Sequence, residues 1–468
     1  MPEQKKSELA YERKSVWLSI SESEKNLVFD FSEDYKRFMN LCKTERECVA
    51  FIEKEALQLD FKDIIKVKGK VGDKIFIKNG NRNCILAILG EKPMIEGVNI
   101  IASHIDAPRL DLKPLPLIED SEMALLKTHY YGGIKKYHWV NIPLSIHGTV
   151  VRKDGASLDI VIGEDENDPV FTINDILPHL SNKVQGEKKL LDGIEGENLR
   201  LLVGNMPVAD KDLQEKVKEM TLKKLNEMYG IKEEDLISAE LEVVPAFKAR
   251  DVGFDRSIVG AYGQDDRVCS YSAFRAILDF KEVPEKTIIV FLVEKEEIGS
   301  YGVTGIRSRF LYNSIGKLLS IYEPSYRESD LRELFARSYS ISGDVGAVIN
   351  PMFKDVFDAT NAPKMGYGVL LEKYTGSRGK SGASDASAEL MAKVMKIFND
   401  NQVIWQPSLL GKVDEGGGGT VALYLADLGI QVVDCGTGLD GMHSPYEVAS
   451  KADIYQTYKA YGAFLKDA

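Results

Sequence analysis

Residues 287–297 read Thr-Ile-Ile-Val-Phe-Leu-Val-Glu-Lys-Glu-Glu, TIIVFLVEKEE. The run Thr287–Val293 carries no charge and shows no alternation of polar and apolar positions. Such a run fits a strand buried on both faces, as in an α/β sheet covered by helices on each side. The acids that follow fall just past the strand's carboxyl end, where open α/β sheets place their sites. Working outward, the same grammar recurs. Val98–Ala102 is a strand that ends at SHIDAP, and Cys84–Leu89 is another short apolar strand before it. Ile430–Val433 runs into DCGTGLDGMHSP, and Tyr339–Ile341 precedes Ser342-Gly343-Asp344. Helical spacing appears from Tyr35 through Ala56, in Val268, Tyr271, Phe274 and Ile277, and from about Asp385 to Phe398. The Gly416–Gly419 run lies between organised segments and reads as a tight backbone feature rather than a linker.

Between these two α/β regions the texture changes. Ile146–Val151 and Leu158–Ile162 flank Asp154-Gly155, a strong hairpin signal. Pro169–Ile173 reads as a further strand, and a charged helix from about Asp210 to Tyr229 stops at Gly230. The expected organisation is a catalytic α/β domain in two parts, residues 1–107 and 251–468, interrupted by a β-rich insertion over 108–250. At 468 residues, more than one core is the ordinary expectation.

Composition narrows the function classes. A hydrophobic content of 44% with 28% charged residues describes a soluble globular chain. The net charge of -12 argues against nucleic-acid binding, which needs clustered positive charge. Ile288–Val293 is far short of the about 20 apolar residues that cross a bilayer. MPEQKKSELAYERKS has no apolar core, so no secretory signal is expected. The five cysteines lack CxxC spacing, which fits a reducing cytoplasm and argues against a cysteine-ligated zinc.

The candidate chemistry lies at the strand ends. Of six histidines, His104 follows Val98–Ala102, and His443 lies in a glycine-rich loop after Ile430–Val433. Asp106 is two residues beyond His104, on the same side of an extended chain, where a carboxylate can fix the imidazole tautomer. Glu296 and Glu297 point in different directions, so one can bind a metal while the other takes a proton from water. Asp265-Asp266 opens a helix, where an aspartate can equally be a cap. Asp344 follows a short strand. Two histidines with three carboxylates suit zinc, cobalt or manganese, and two metals sharing one carboxylate would activate water for hydrolysis.

The segments SHIDAPRLDLKP, GAYGQDDRVCSYSAF, VEKEEIGS, SGDVGAVINP and DCGTGLDGMHSPYEVASKADI resemble, in order, the M18 family of metallo-aminopeptidases. The likeness covers nearly the whole chain. It implies an α/β mixed-sheet zinc-peptidase catalytic domain interrupted by a β-rich dimerisation domain. It also implies two zinc ions per chain. His104, Asp344 and a bridging aspartate would hold one; His443, Glu297 and the same aspartate would hold the other. Asp265 aligns as the bridge, with Asp266 the alternative. Glu296 would be the general base, and Asp106 would orient His104. ILPHL resembles a family segment whose histidine reaches the partner's active site, so His179 would contact substrate across a dimer interface. The family's dodecamers, built from such dimers with inward-facing sites, would restrict substrates to peptides. The segment Tyr374–Ser387, with Arg378 and Lys380, differs in composition from that of aspartyl-specific members, as does GKVDEGGGGT. Acidic specificity is therefore not carried over. Two other readings are a two-metal deacylase or amidase acting on N-acyl amino acids, and a non-catalytic assembly protein on the same scaffold. A base beside the metals argues against the second.

Overall fold

The computed structural model describes residue 7 and residues 9–468. Its centre is a nine-stranded mixed sheet. Four neighbouring strands run parallel in the order Ile288–Val293, Asn99–His104, Tyr339–Ser342 and Gln431–Gly436. On one side Asn83–Ile88 and then Lys74–Asn79 continue the sheet antiparallel. On the other, Val369–Glu372 pairs antiparallel with Gln431–Gly436.

The apolar run behaves as its composition requires. Ile288, Val290 and Leu292 pack into one core while Ile289, Phe291 and Val293 pack into another. Alternate side chains project to opposite faces of a strand, so a run with no polar member needs cover on both. The first core is closed by the helices Glu22–Leu41, Glu45–Gln58, Gln264–Leu278, Ala388–Asp400 and Lys451–Asp467. The second lies under Phe310–Tyr322, Glu328–Ala336 and Ala422–Ala426. Helix starts are set locally. Ser21 accepts from the Glu24 N–H, Ser387 from the Leu390 N–H, and Thr44 forms a reciprocal capping box with Glu47.

The middle of the chain has its own core. Its six-stranded sheet is antiparallel throughout, in the order Ser157–Ile162, Leu144–Val151, Glu240–Pro245, Arg109–Asp120, Met123–Tyr131 and Arg200–Gly204. The charged helix begins later than its composition suggests, spanning Lys216–Tyr229, and ends on Gly230 in the left-handed conformation as expected. Pro169–Ile173 does not form a ladder strand. Phe171 and Thr172 make only isolated bridges to Leu144 and Leu202. A third, five-stranded sheet joins Arg250–Val252, Ile258–Ala261, Glu447–Ser450, Gly438–Asp440 and Gly346–Ala347. Among the described residues no helix is long and apolar enough to cross a membrane.

Gly148 marks a close approach in the inserted sheet. Its φ is +140°, and a Cβ there would lie 1.9 Å from the Glu240 carbonyl oxygen. Strand neighbours cannot yield that much without losing ladder bonds. Gly148→Ala is expected to destabilise the protein by about 1–3 kcal/mol, read as a lower unfolding midpoint. An unchanged midpoint would show that the strand pair Gly148–Leu241 tolerates a side chain.

Candidate metal centre and active site

The parallel register assembles most of the site. Val293 lies opposite His104, and Ser342 opposite Ala102. The chain emerging from three adjacent strands therefore delivers His104, Glu296 with Glu297, and Asp344 to one edge of the sheet. Asp265 comes from the start of the helix Gln264–Leu278, and His443 from the turn between Gly438–Asp440 and Glu447–Ser450.

Asp265 lies at the centre. Its Oδ1 is 3.3 Å from His104 Nε2, and its Oδ2 is 3.1 Å from His443 Nε2. Asp344 Oδ1 lies 4.0 Å from His104 Nε2, and Glu297 Oε2 lies 3.5 Å from His443 Nε2. Each imidazole thus faces one oxygen of the shared aspartate and one carboxylate of its own. Asp266 points elsewhere: its Oδ2 accepts from the Ser103 hydroxyl at 2.5 Å. Donor atoms of Asp266, His104 and Asp344 also lie within 4.8 Å of one another, but no contact joins Asp266 to His443. Neither aspartate caps the helix by its side chain. Both have non-helical φ and ψ, the peptide bond between them is cis, and the helical N-cap is Gly263. The buried Arg267 guanidinium holds this turn by donating to the carbonyls of Gly263, Tyr262 and Cys42.

A surrounding layer fixes the imidazoles. His104 Nδ1 is 3.1 Å from the Asp106 carbonyl oxygen and 3.3 Å from its carboxylate. Nδ1 therefore carries a proton, and Nε2 is the nitrogen turned toward Asp265 and Asp344. Asp106 also accepts from the N–H groups of Glu296 and Glu297, each at 3.2 Å, and from the Tyr131 hydroxyl at 2.9 Å. On the other side His443 Nδ1 donates to the Gly133 carbonyl at 2.8 Å. Glu447 joins the halves, with one oxygen accepting from the His443 N–H and the other from the Asp265 N–H. Tyr131, Gly133 and Glu447 carry no sequence signal as strong as the strand-end acids. Glu447 was nonetheless within reach, four residues past His443 in HSPYEVAS. His179 is not brought to this cluster. It sits exposed in the short helix Pro178–Ser181 of the insertion.

The electrostatics suit cations. Burial and mutual repulsion push the carboxyls of Asp344, Glu297 and Asp266 well above the usual carboxylate range. Glu296 is pushed up to about 7, by burial first, with His104 opposing and Asp106 and Asp265 adding. Only Asp265 is held low: burial raises it, but the two histidines outweigh burial. His443 rises to about 10, its burial overcome by Asp265 and Glu297. Among the described residues, buried Glu297 Oε1 and Asp266 Oδ1 find no hydrogen-bond partner. Acids pushed toward protonation, beside two imidazoles that are themselves raised and turn their Nε2 atoms toward those acids, fit a divalent cation that takes the place of protons. The mixed nitrogen and oxygen donor set fits zinc.

A family model described as "Aminopeptidase I zinc metalloprotease (M18)" matches residues 38–465. The chain belongs to this family. It is therefore a zinc metallo-aminopeptidase, an exopeptidase hydrolase. A "Probable M18 family aminopeptidase 1" of Borrelia garinii subsp. bavariensis is 50% identical over 457 residues, covering 97% of this chain and 100% of that protein. The crystal structure of an M18 aminopeptidase from Thermotoga maritima superposes with a TM-score of 0.94 at 47% identity, over 98% of this chain and 100% of that one. The S. cerevisiae mApe1 dodecamer shares the fold, with a TM-score of 0.76 at 21% identity over 95% and 97% of the two chains. The mixed α/β architecture expected from the sequence is that of the family.

The Tyr131 hydroxyl is a clean probe of the surrounding layer. Tyr131→Phe removes one of the donors that hold Asp106 while leaving the ring over Arg109. Zinc affinity is expected to fall about 10- to 100-fold, measured by competition with a chromogenic chelator, with the unfolding midpoint little changed. Wild-type affinity in that variant would remove Asp106 from any part in metal binding.

Proposed function

We propose that this aminopeptidase removes N-terminal residues from peptides using two zinc ions held on Asp265. In this reading His104 and Asp344 would hold one ion, and His443 and Glu297 the other, with Asp265 shared between them. The observation that carries it is the contact of both histidine Nε2 atoms with opposite oxygens of Asp265. Bound zinc would polarise the scissile carbonyl and acidify water.

The protein's own groups do the rest. Glu296, adjacent to Glu297 and lining the same cavity as Asp265, takes the proton from the attacking water on its carboxylate. It then returns that proton to the departing amine nitrogen as the peptide C–N bond breaks. Burial and the nearby Asp106 and Asp265 raise this carboxyl to about 7 without metal; bound cations would draw it down toward the ionised form that a base needs. Asp106 keeps the His104 proton on Nδ1 and grips the N–H groups of Glu296 and Glu297, so base and ligand stay in register. The cavity, about 490 Å³, has room for the end of a peptide.

The assembly follows from the insertion. Exposed Leu177, Leu180, Leu190 and Leu191 surround the His179 segment in sequence, a set of apolar side chains that suits burial against another subunit. The insertion, residues 108–250, is then the dimerisation domain, and His179 completes the partner's site. A dodecamer built from such dimers agrees with the yeast relative. Five unpaired, buried cysteines accord with work in the reducing cytoplasm.

Zinc loading is expected to give two ions per chain, and chelation to abolish hydrolysis until zinc is restored. Glu296→Gln should cut turnover by about 10²–10⁴-fold with zinc content unchanged; full activity in that variant would end its role as base. Because the metal-free carboxyls are raised, they bind protons that zinc must displace. Zinc affinity is therefore expected to rise with pH, and calorimetry in buffers of different ionisation enthalpy should show proton release. Binding without proton release would contradict the raised carboxyls.

A further inference from the structure

The strand Val369–Glu372, Val-Leu-Leu-Glu, repeats at the sheet's far side the pattern of an apolar run ending in an acid. Its antiparallel register sets Glu372 opposite Asp434. Glu372 is 9% exposed and lines the same cavity as His104, Asp265 and Glu296. Its Oε1 accepts from the Ser408 hydroxyl at 2.5 Å. That oxygen lies 2.8 Å from where a Cβ on Gly346 would sit, two residues from Asp344. The carboxyl therefore faces the reaction space without belonging to the group of acids around Asp265.

What this acid lacks is a cation. Burial, the Ser408 hydroxyl and the Asp434 carboxyl act on it, and among the described residues no lysine, arginine or histidine does. Asp434 is equally without one; its Oδ1 accepts from the Thr420 hydroxyl at 2.6 Å. Buried carboxylates are ordinarily paired; without a partner, burial raises the Glu372 carboxyl to about 7, so it ionises when a cation is brought to it. The cavity does carry cations, Arg378, Lys380 and Lys412, but all three are exposed. Lys380 is engaged with Asp385 at 3.0 Å and lies 3.8 Å from the Tyr374 ring centre. Solvated charges of this kind contribute little. The buried acid is the stronger discriminator.

We propose that Glu372 is the specificity residue of this aminopeptidase, accepting the cationic side chain of a first-residue lysine or arginine. The proposal rests on reading this cavity as the peptide-cleaving site. Val345 and Leu409, which also line it, supply apolar surface for the methylene stem of such a side chain, and the carboxylate receives its charged end. A neutral first residue brings the carboxyl no cation, and an acidic one sets a second carboxyl beside it.

The test uses the zinc-loaded full chain with lysyl, arginyl, leucyl and aspartyl p-nitroanilides. The kcat/KM for the lysyl and arginyl substrates is expected to exceed that for leucyl by about tenfold or more, the worth of one charge-assisted hydrogen bond, with aspartyl the poorest. Glu372→Gln keeps the side-chain volume and an acceptor for Ser408, and should lower the lysyl-to-leucyl ratio by about tenfold. A wild-type preference for leucyl or aspartyl substrates would overturn the proposal. So would a uniform fall across the panel in Glu372→Gln with the ratio kept, which would mean the carboxyl holds the α-amine or only the fold. Release from none of the four would sink the peptide-cleaving reading of the cavity, and this inference with it.

Discussion

Everything at this site turns on the repulsion among carboxyl groups brought together where water cannot screen them. Asp265, Asp266, Glu296, Glu297 and Asp344 are drawn from three separate stretches of chain, and all but Asp265 are raised toward their protonated forms. The two histidines and the Ser103 hydroxyl offset only part of that crowding. The arrangement makes sense when positive charge is delivered to it, as the zinc of the family's enzymes would do. A free protein that stores its acids as protonated carboxyls can be discharged by metal without rearranging its backbone, because the strands already hold the donors in place.

Those strands explain why the repulsion does not push the site apart. Three parallel neighbours end at the same edge, and two of them, Asn99–His104 and Ile288–Val293, are pinned on both faces by apolar packing. The interior is close-packed, so a strand cannot slide to relieve a few ångströms of charge crowding without opening voids. Asp106 and Glu447 then convert backbone N–H groups of Glu296, Glu297, Asp265 and His443 into fixed points. Acids thus hold other acids in position, through the backbone rather than by direct pairing.

How much of this was legible in the sequence depends on whether a residue's role is local or tertiary. The strand before Glu296 could be read because burial on both faces leaves an unbroken apolar run. Pro169–Ile173 has a similar look, yet it forms only bridges, since nothing in its composition reports whether a partner strand is in reach. The choice between Asp265 and Asp266 was open because adjacent residues share every sequence signal. Only the non-helical backbone at that turn separates their directions. Tyr131 could not have been found, because a tyrosine 25 residues from Asp106 gains its meaning only when the hairpin folds back. Glu372 could have been, as it ends an apolar strand by the same rule that singled out Glu296. His179 stands apart: alone it is an exposed histidine after a proline, and only likeness to a family gives it work.

The insertion is tied to the chemistry more closely than a separate core suggests. Three consecutive residues at the end of its hairpin reach the site: the Tyr131 hydroxyl holds Asp106, a Cβ on Gly132 would meet Glu297, and the Gly133 carbonyl holds His443. They touch both halves of the cluster at once. The hairpin is in turn anchored to the helical layer, because Arg109 at its base stacks on Tyr131 and pairs with buried Glu45 at 2.8 Å. Catalytic groups lose much of their effect when displaced by about 1 Å. A shift of the inserted sheet would therefore act on His104 and His443 together, through Asp106 and Gly133. The inserted sheet and the edge where the acids gather are thus parts of one mechanical unit, joined through residues 131–133.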